Sequence, residues 1–155
     1  MKFKKYIDLP KNKWPDFKIK WNLDLDKSLK DNIHEDDSTD FLLNYYFPKG
    51  ALVGWVNLND LFDHMTSFCK KMRDRDSYIE EELNNIKIAK IISSCINKKE
   101  LLPPYIDIVG DSFGIRNGWH RLSICLAKKE KKIPIFISHE KKMLFEKKIK
   151  NIEWV

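Results

Sequence analysis

Residues 113–122 read FGIRNGWHRL, and their side chains could do chemistry together. Asn117-Gly118 lets the backbone take positive φ and turn sharply out of a strand. The helix expected next opens with Trp119, His120 and Arg121. Its first N–H groups have no partner inside the helix, so its mouth carries partial positive charge. Arg121 adds a forked, permanently charged donor suited to phosphate oxygens. His120 can donate a hydrogen bond, or take and give a proton near neutral pH. A glycine turn opening a helix in this way is an anion cradle. Asn117, Gly118, Trp119, His120 and Arg121 are the candidate binding residues, Trp119 standing in the anion turn itself. The same residues also fit a plain structural corner, with Trp119 in the core and His120 and Arg121 on the surface.

The elements around the corner must hold it still. Leu122, Ile124, Cys125, Leu126 and Ala127 make the helix over 119–129 apolar on most sides, hence largely buried. YIDIV, a turn at Gly110-Asp111 and SFGIR precede it, and the strand IPIFIS (133–138) follows. Upstream, 60–76 and 77–97 are helical in pattern. Ile79, Leu83, Ile86, Ala89 (or Lys90), Ile92 (or Ser93) and Ile96 recur at three- and four-residue steps. Asp76 or Ser77 would cap that second helix, with Glu80, Glu81 and Glu82 in its first turn. GWVNLNDLF is expected as a strand turning into a helix capped by Asn59 or Asp60. In the first fifty residues WPDFKIKWNLDL alternates like a strand or hairpin, and Ser38 or Thr39 can cap a short helix, DFLLNYYF. HEKKMLFEKKIKNIEWV is expected as one more helix. The fold class is therefore α/β (mixed α+β), a small mixed sheet flanked by helices. The expected organisation is an N-terminal extension (1–52), a core with a helical insertion (53–138) and a C-terminal helix (139–155).

The bulk numbers agree with one domain of 155 residues, long enough to bury a real core. No run approaches a membrane span, and the opening residues lack a signal peptide's apolar stretch. Cys69, Cys95 and Cys125 form no CxxC pair, so reduced, buried thiols in a cytoplasmic protein are expected. Of the net charge of +6, five charges fall in residues 101–155. That basic C-terminal third could favour nucleic acid or another phosphate-bearing partner. Acidic residues interrupt each cluster, so it equally fits a solvated lysine-rich surface. DNIHEDDSTD gathers His34 with Glu35, Asp36, Asp37 and Asp40, but a sequential polar run is better explained as a solvated loop than as a metal site. No metal ligand set is expected. His64 is expected to pair with Asp60 at the surface.

The segment KIISSCINKKELLPPYIDIVGDSFGIRNGWHRLSICLAKKEKKIPIFI, with GWVNLNDLF before it, resembles the ParB/sulfiredoxin-like superfamily over roughly residues 53–138. The likeness lies in the order LLPP (101–104), strand, short hairpin, Gly-x-His-Arg turn, helix and Ile-Pro strand. Members grip nucleotide phosphates with that turn. The resemblance implies a nucleotide ligand (ATP, ADP or CTP, with or without magnesium) or a phosphorylated small molecule. Gly118 would supply open backbone, His120 and Arg121 the phosphate contacts, and Asn117 the strand-side corner.

The branches of the superfamily differ in activity. Sulfiredoxin carries its reactive cysteine between the glycine and histidine, where this chain has Trp119, so repair of an oxidised thiol is not expected. Partition proteins add a DNA reader and a dimerisation segment, and the 17 residues after the Ile-Pro strand would hold neither. Phosphotransferase or NTPase chemistry would want a carboxylate to orient a nucleophile or hold magnesium. The acid that relatives place before the proline stretch falls near Ser94 here and is missing, leaving Asp107 and Glu100 as substitutes. The alternatives are a nucleic-acid-acting module, such as a ParB-like nuclease or DNA-modification accessory, and a catalytically inactive interaction protein such as an inhibitor or antitoxin. The first fifty residues are open to a role as a lid or a homodimer contact.

Overall fold

Period-two alternation of apolar residues builds a five-stranded sheet in the computed structural model, which describes residues 2–24, 49–74 and 86–155. Its strands are β2 (Ala51–Asn57), β4 (Tyr105–Val109), β5 (Ser112–Asn117), β6 (Lys132–Ser138) and β7 (Glu153–Trp154), in the order β5-β4-β6-β2-β7. β4 and β6 run parallel and the other neighbours antiparallel. A two-residue parallel ladder, β1 (Lys20–Trp21) with β3 (Glu100–Leu101), stands apart. The helices are α1 (Leu58–Asp63), α2 (Ser67–Asp74), α3 (Ile86–Ile96), α4 (Trp119–Ala127) and α5 (Lys142–Lys148). The class is mixed α/β, as the order of apolar patterns predicts.

One face of the sheet, through Val56, Ile106, Phe113, Ile133, Ile135 and Ile137, packs on Leu61, Phe62, Met72, Leu122, Cys125 and Phe145. Phe113 and Phe145 stack at 4.4 Å. A second apolar cluster joins Tyr6 and Phe17 of the N-terminal segment to Ile88, Ile92 and Cys95 of α3, and to Ile124 and Ala127 of α4. Helix α4 is thus clamped between two cores, Leu122 and Cys125 turned to one, Ile124 and Ala127 to the other.

Several expectations need correction. The helix expected over 60–76 is two helices, because the chain leaves helical geometry at Met65 to bridge Phe113. Thr66 N–H donates to the Phe113 carbonyl at 3.0 Å and Phe113 N–H to that of His64 at 2.8 Å. The α1 cap is Asn57, whose side chain accepts from Asp60 N–H at 3.1 Å, in place of Asn59 or Asp60. His64 does not pair with the Asp60 carboxylate; its Nδ1 donates to the Asp60 carbonyl at 2.8 Å. The C-terminal helix expected over 139–155 is a 3-10 turn (His139–Lys141), then α5, then extended chain ending in β7. Burial of Ile149 and packing of Trp154 on the sheet core win over helix propensity there. Of WPDFKIKWNLDL, only Lys20–Trp21 forms a ladder among the described residues. The proposed caps Ser38, Thr39, Asp76 and Ser77, the acidic first turn Glu80–Glu82, the apolar positions Ile79 and Leu83, and the His34 cluster lie outside the described residues.

Candidate functional site

The corner begins with a β-bulge. Tyr105 faces Asn117 while Ile106 faces Ile115, so Arg116 is the extra residue on β5. A bulge bends its strand and re-aims side chains. Gly118 follows at φ +101°, a left-handed conformation, and is the N-cap of α4. A Cβ there would lie 2.9 Å from Cα and Cβ of Pro104 and 3.0 Å from Arg121 Nη2. The glycine is therefore demanded by the close approach of the LLPP stretch as well as by its backbone angle. The space it leaves is taken by Pro104, which corrects the expectation that Gly118 supplies open backbone to a ligand.

Arg121 turns inward. Nη1 donates to the Leu102 carbonyl, and Nη2 to Asn117 Oδ1 at 3.2 Å. Both acceptors are neutral, and no carboxylate pairs with the guanidinium among the described residues. Burial pushes its pKa down to about 10, so it still carries its charge at neutral pH. A partly buried cation without a counter-charge is costly, and an arriving anion would offset that cost.

The guanidinium borders a groove of about 460 Å³, of the size of small-ligand sites (roughly 300–1,000 Å³). Asn117, Gly118, Trp119, His120 and Arg121 line one wall together with Arg116. Lys87, Lys90 and Ile91 of α3 line the other. No acidic side chain lines it among the described residues. Trp119 meets Phe68 of α2 at 5.5 Å and 38°. The structure thus gathers all five candidate binding residues into one basic groove.

The two candidate carboxylates sit elsewhere. Asp107 is buried at 7% exposure and accepts from Lys141 Nζ, from Arg116 Nε at 3.2 Å and from Ile108 N–H at 2.8 Å. Burial alone would lift its pKa. The hydrogen bond from Lys141, then the Ile108 N–H, the Lys141 charge and the Arg116 bond more than offset that, leaving it below the usual carboxylate range. Asp107 does not line the groove and meets it only through Arg116. Glu100 is exposed on β3 opposite Lys20, also outside the lining. No group of three metal-type ligands occurs among the described residues.

Sequence pattern alone does not mark Lys87, Lys90 and Phe68 as site residues. Lys87, Lys90 and Ile91 share a helical face by their three- and four-residue steps. What periodicity does not reveal is that this face stands across from the Gly118 corner. Several lysines of the basic C-terminal third are engaged by the protein itself. Lys141 pairs with Asp107, Lys132 with Glu153 at 2.8 Å and Lys142 with Glu146 at 3.9 Å. Lys128 donates to the Phe17 carbonyl at 2.6 Å. Comparison with protein-family models finds no match, and neither a curated protein nor a solved structure matches the chain.

Proposed function

We propose that the groove binds the phosphate of a nucleotide. The observation that carries this reading is Arg121, a guanidinium with two neutral acceptors and no carboxylate partner among the described residues, opening onto a groove lined by Lys87, Lys90, Arg116 and His120. A phosphate would take the place of the missing counter-charge. Trp119 offers a flat wall for a base beside it. The likeness of residues 53–138 to ParB/sulfiredoxin-like domains supports the same ligand class. The reading is binding and assigns no hydrolysis or transfer, since Asp107 is held by Lys141 and Arg116 and Glu100 stands outside the groove.

Thermal shift with ATP, ADP, CTP and GTP tests it, each with magnesium and with EDTA. Ligand at a hundred times its Kd stabilises by about 2.7 kcal/mol, a rise of several degrees for a domain of this size. The rise should survive EDTA, because the groove meets phosphate with side-chain cations. Arg121→Met should fold with stability within about 2 kcal/mol of the parent, since it removes a partly buried, unmatched charge along with its hydrogen bonds. It should lose the ligand response. No shift with any nucleotide overturns the reading.

A further inference from the structure

A second basic concavity of about 490 Å³ lies on the other flank of α3. Lys2, Lys4, Lys5 and Tyr6 of the N-terminal segment face Ser93, Ile96 and Asn97 across it, again without an acidic side chain among the described lining. One contact lies between the two hollows. Lys90 lines the Arg121 groove, and its Nζ stands 5.3 Å from the ring of Phe3, between Lys2 and Lys4. Cationic side chains therefore stand on both flanks of helix α3, Lys87 and Lys90 from the helix itself and Lys2, Lys4 and Lys5 from the N-terminal segment.

We propose that these two hollows form one track for single-stranded nucleic acid, running from the Arg121 corner past Lys90 to the Lys2–Lys5 segment. This rests on the groove's reading as a phosphate site and extends it from one nucleotide to a strand. A lone nucleotide needs only the first hollow; the second supplies cations for the phosphates that follow. Aromatic rings flank the track, with Trp119 at the corner, backed by Phe68, which is 62% exposed, and Phe3 beneath Lys90 where the two hollows adjoin. Cationic concave surface edged by rings suits a strand whose bases can unstack onto the protein. A duplex keeps its bases inside and presents a convex backbone, so it fits this surface less well.

The test is fluorescence anisotropy with labelled twelve-nucleotide oligothymidylate, oligouridylate and the corresponding DNA duplex, beside ADP thermal shift on the same preparations. A single strand should bind more tightly than the duplex. Its log affinity should fall with log salt at a slope of about −3, as expected for four or five phosphates. Lys4→Glu with Lys5→Glu should weaken the oligonucleotide about tenfold or more and leave the ADP shift intact. Arg121→Met should lose both. Oligonucleotide affinity unmoved by the Lys4 and Lys5 changes overturns the track, as does a duplex binding as tightly as a single strand. An ADP shift without oligonucleotide binding overturns it too and leaves the nucleotide site standing. Loss of both responses in the parent protein overturns the phosphate site and the track together.

Discussion

Asp107 holds three donors from three places in the chain: its neighbour's backbone, Arg116 on β5 and Lys141 after β6. That fastens the edge hairpin to the C-terminal segment and steers Arg116 beside the groove. Its carboxyl lies below the usual range in the folded protein, so its contribution is complete above the unfolded pKa of about 3.9 and fades as pH falls through the lower folded value. Asp107→Asn should destabilise by about 1–3 kcal/mol at pH 7, and the gap should narrow progressively as pH falls below the unfolded pKa of about 3.9, as urea unfolding over a descending pH series would measure. A gap that persists in acid would mean packing, not charge, is what Asp107 provides. Gly118 makes a steric demand. Gly118→Ala combines positive φ with contacts to Pro104 at 2.9 Å, so a loss of about 2–4 kcal/mol is expected. It should also weaken nucleotide binding by displacing Arg121, visible as a smaller thermal shift.

At the scale of elements, the run from β4 through β6 was legible because each boundary has a local cause. Gly110 at φ +63° turns the hairpin, Gly118 opens α4, and alternating isoleucines make β6. The C-terminal segment was not legible, because what ends α5 is distant. Ile149 is extended and buried, and Trp154 docks where Gly54 leaves room on β2. The break at Met65 is of the same kind, a bridge to Phe113 that no local pattern announces. A Cβ on Gly54 would lie 2.7 Å from Ile152 Cγ2 and 2.9 Å from Trp154 Cε3. Gly54→Ala should therefore push β7 from β2 and destabilise by about 1–3 kcal/mol. Adding Trp154→Ala should cost less in that background than in the parent, because the clash is already relieved. Strict additivity in urea titrations would show that the residues do not meet.

At the scale of the molecule, α4 is shared by both apolar clusters and carries the groove's corner, while α3 carries the facing wall. This pairing of helices is the part of the site that periodicity alone could not supply: it marks which side of each helix is apolar, not which helices become neighbours. It also makes the thiols into reporters. Cys95 sits on α3 and Cys125 on α4, both buried, with burial pushing Cys95 up to about 11 and Cys125 upward as well. Neither offers thiolate to a reagent at neutral pH until the two helices part. Labelling by a disulfide reagent should therefore follow opening of the α3–α4 layer. A nucleotide bound between the helices should slow it by about one plus the ratio of ligand concentration to Kd. Cys69 on α2 should be slowed less if that layer opens locally, and equally if only global unfolding exposes it. Arg121→Met should abolish the protection. A nucleotide that raises Tm while leaving the labelling of Cys95 and Cys125 unchanged would place its site away from these helices.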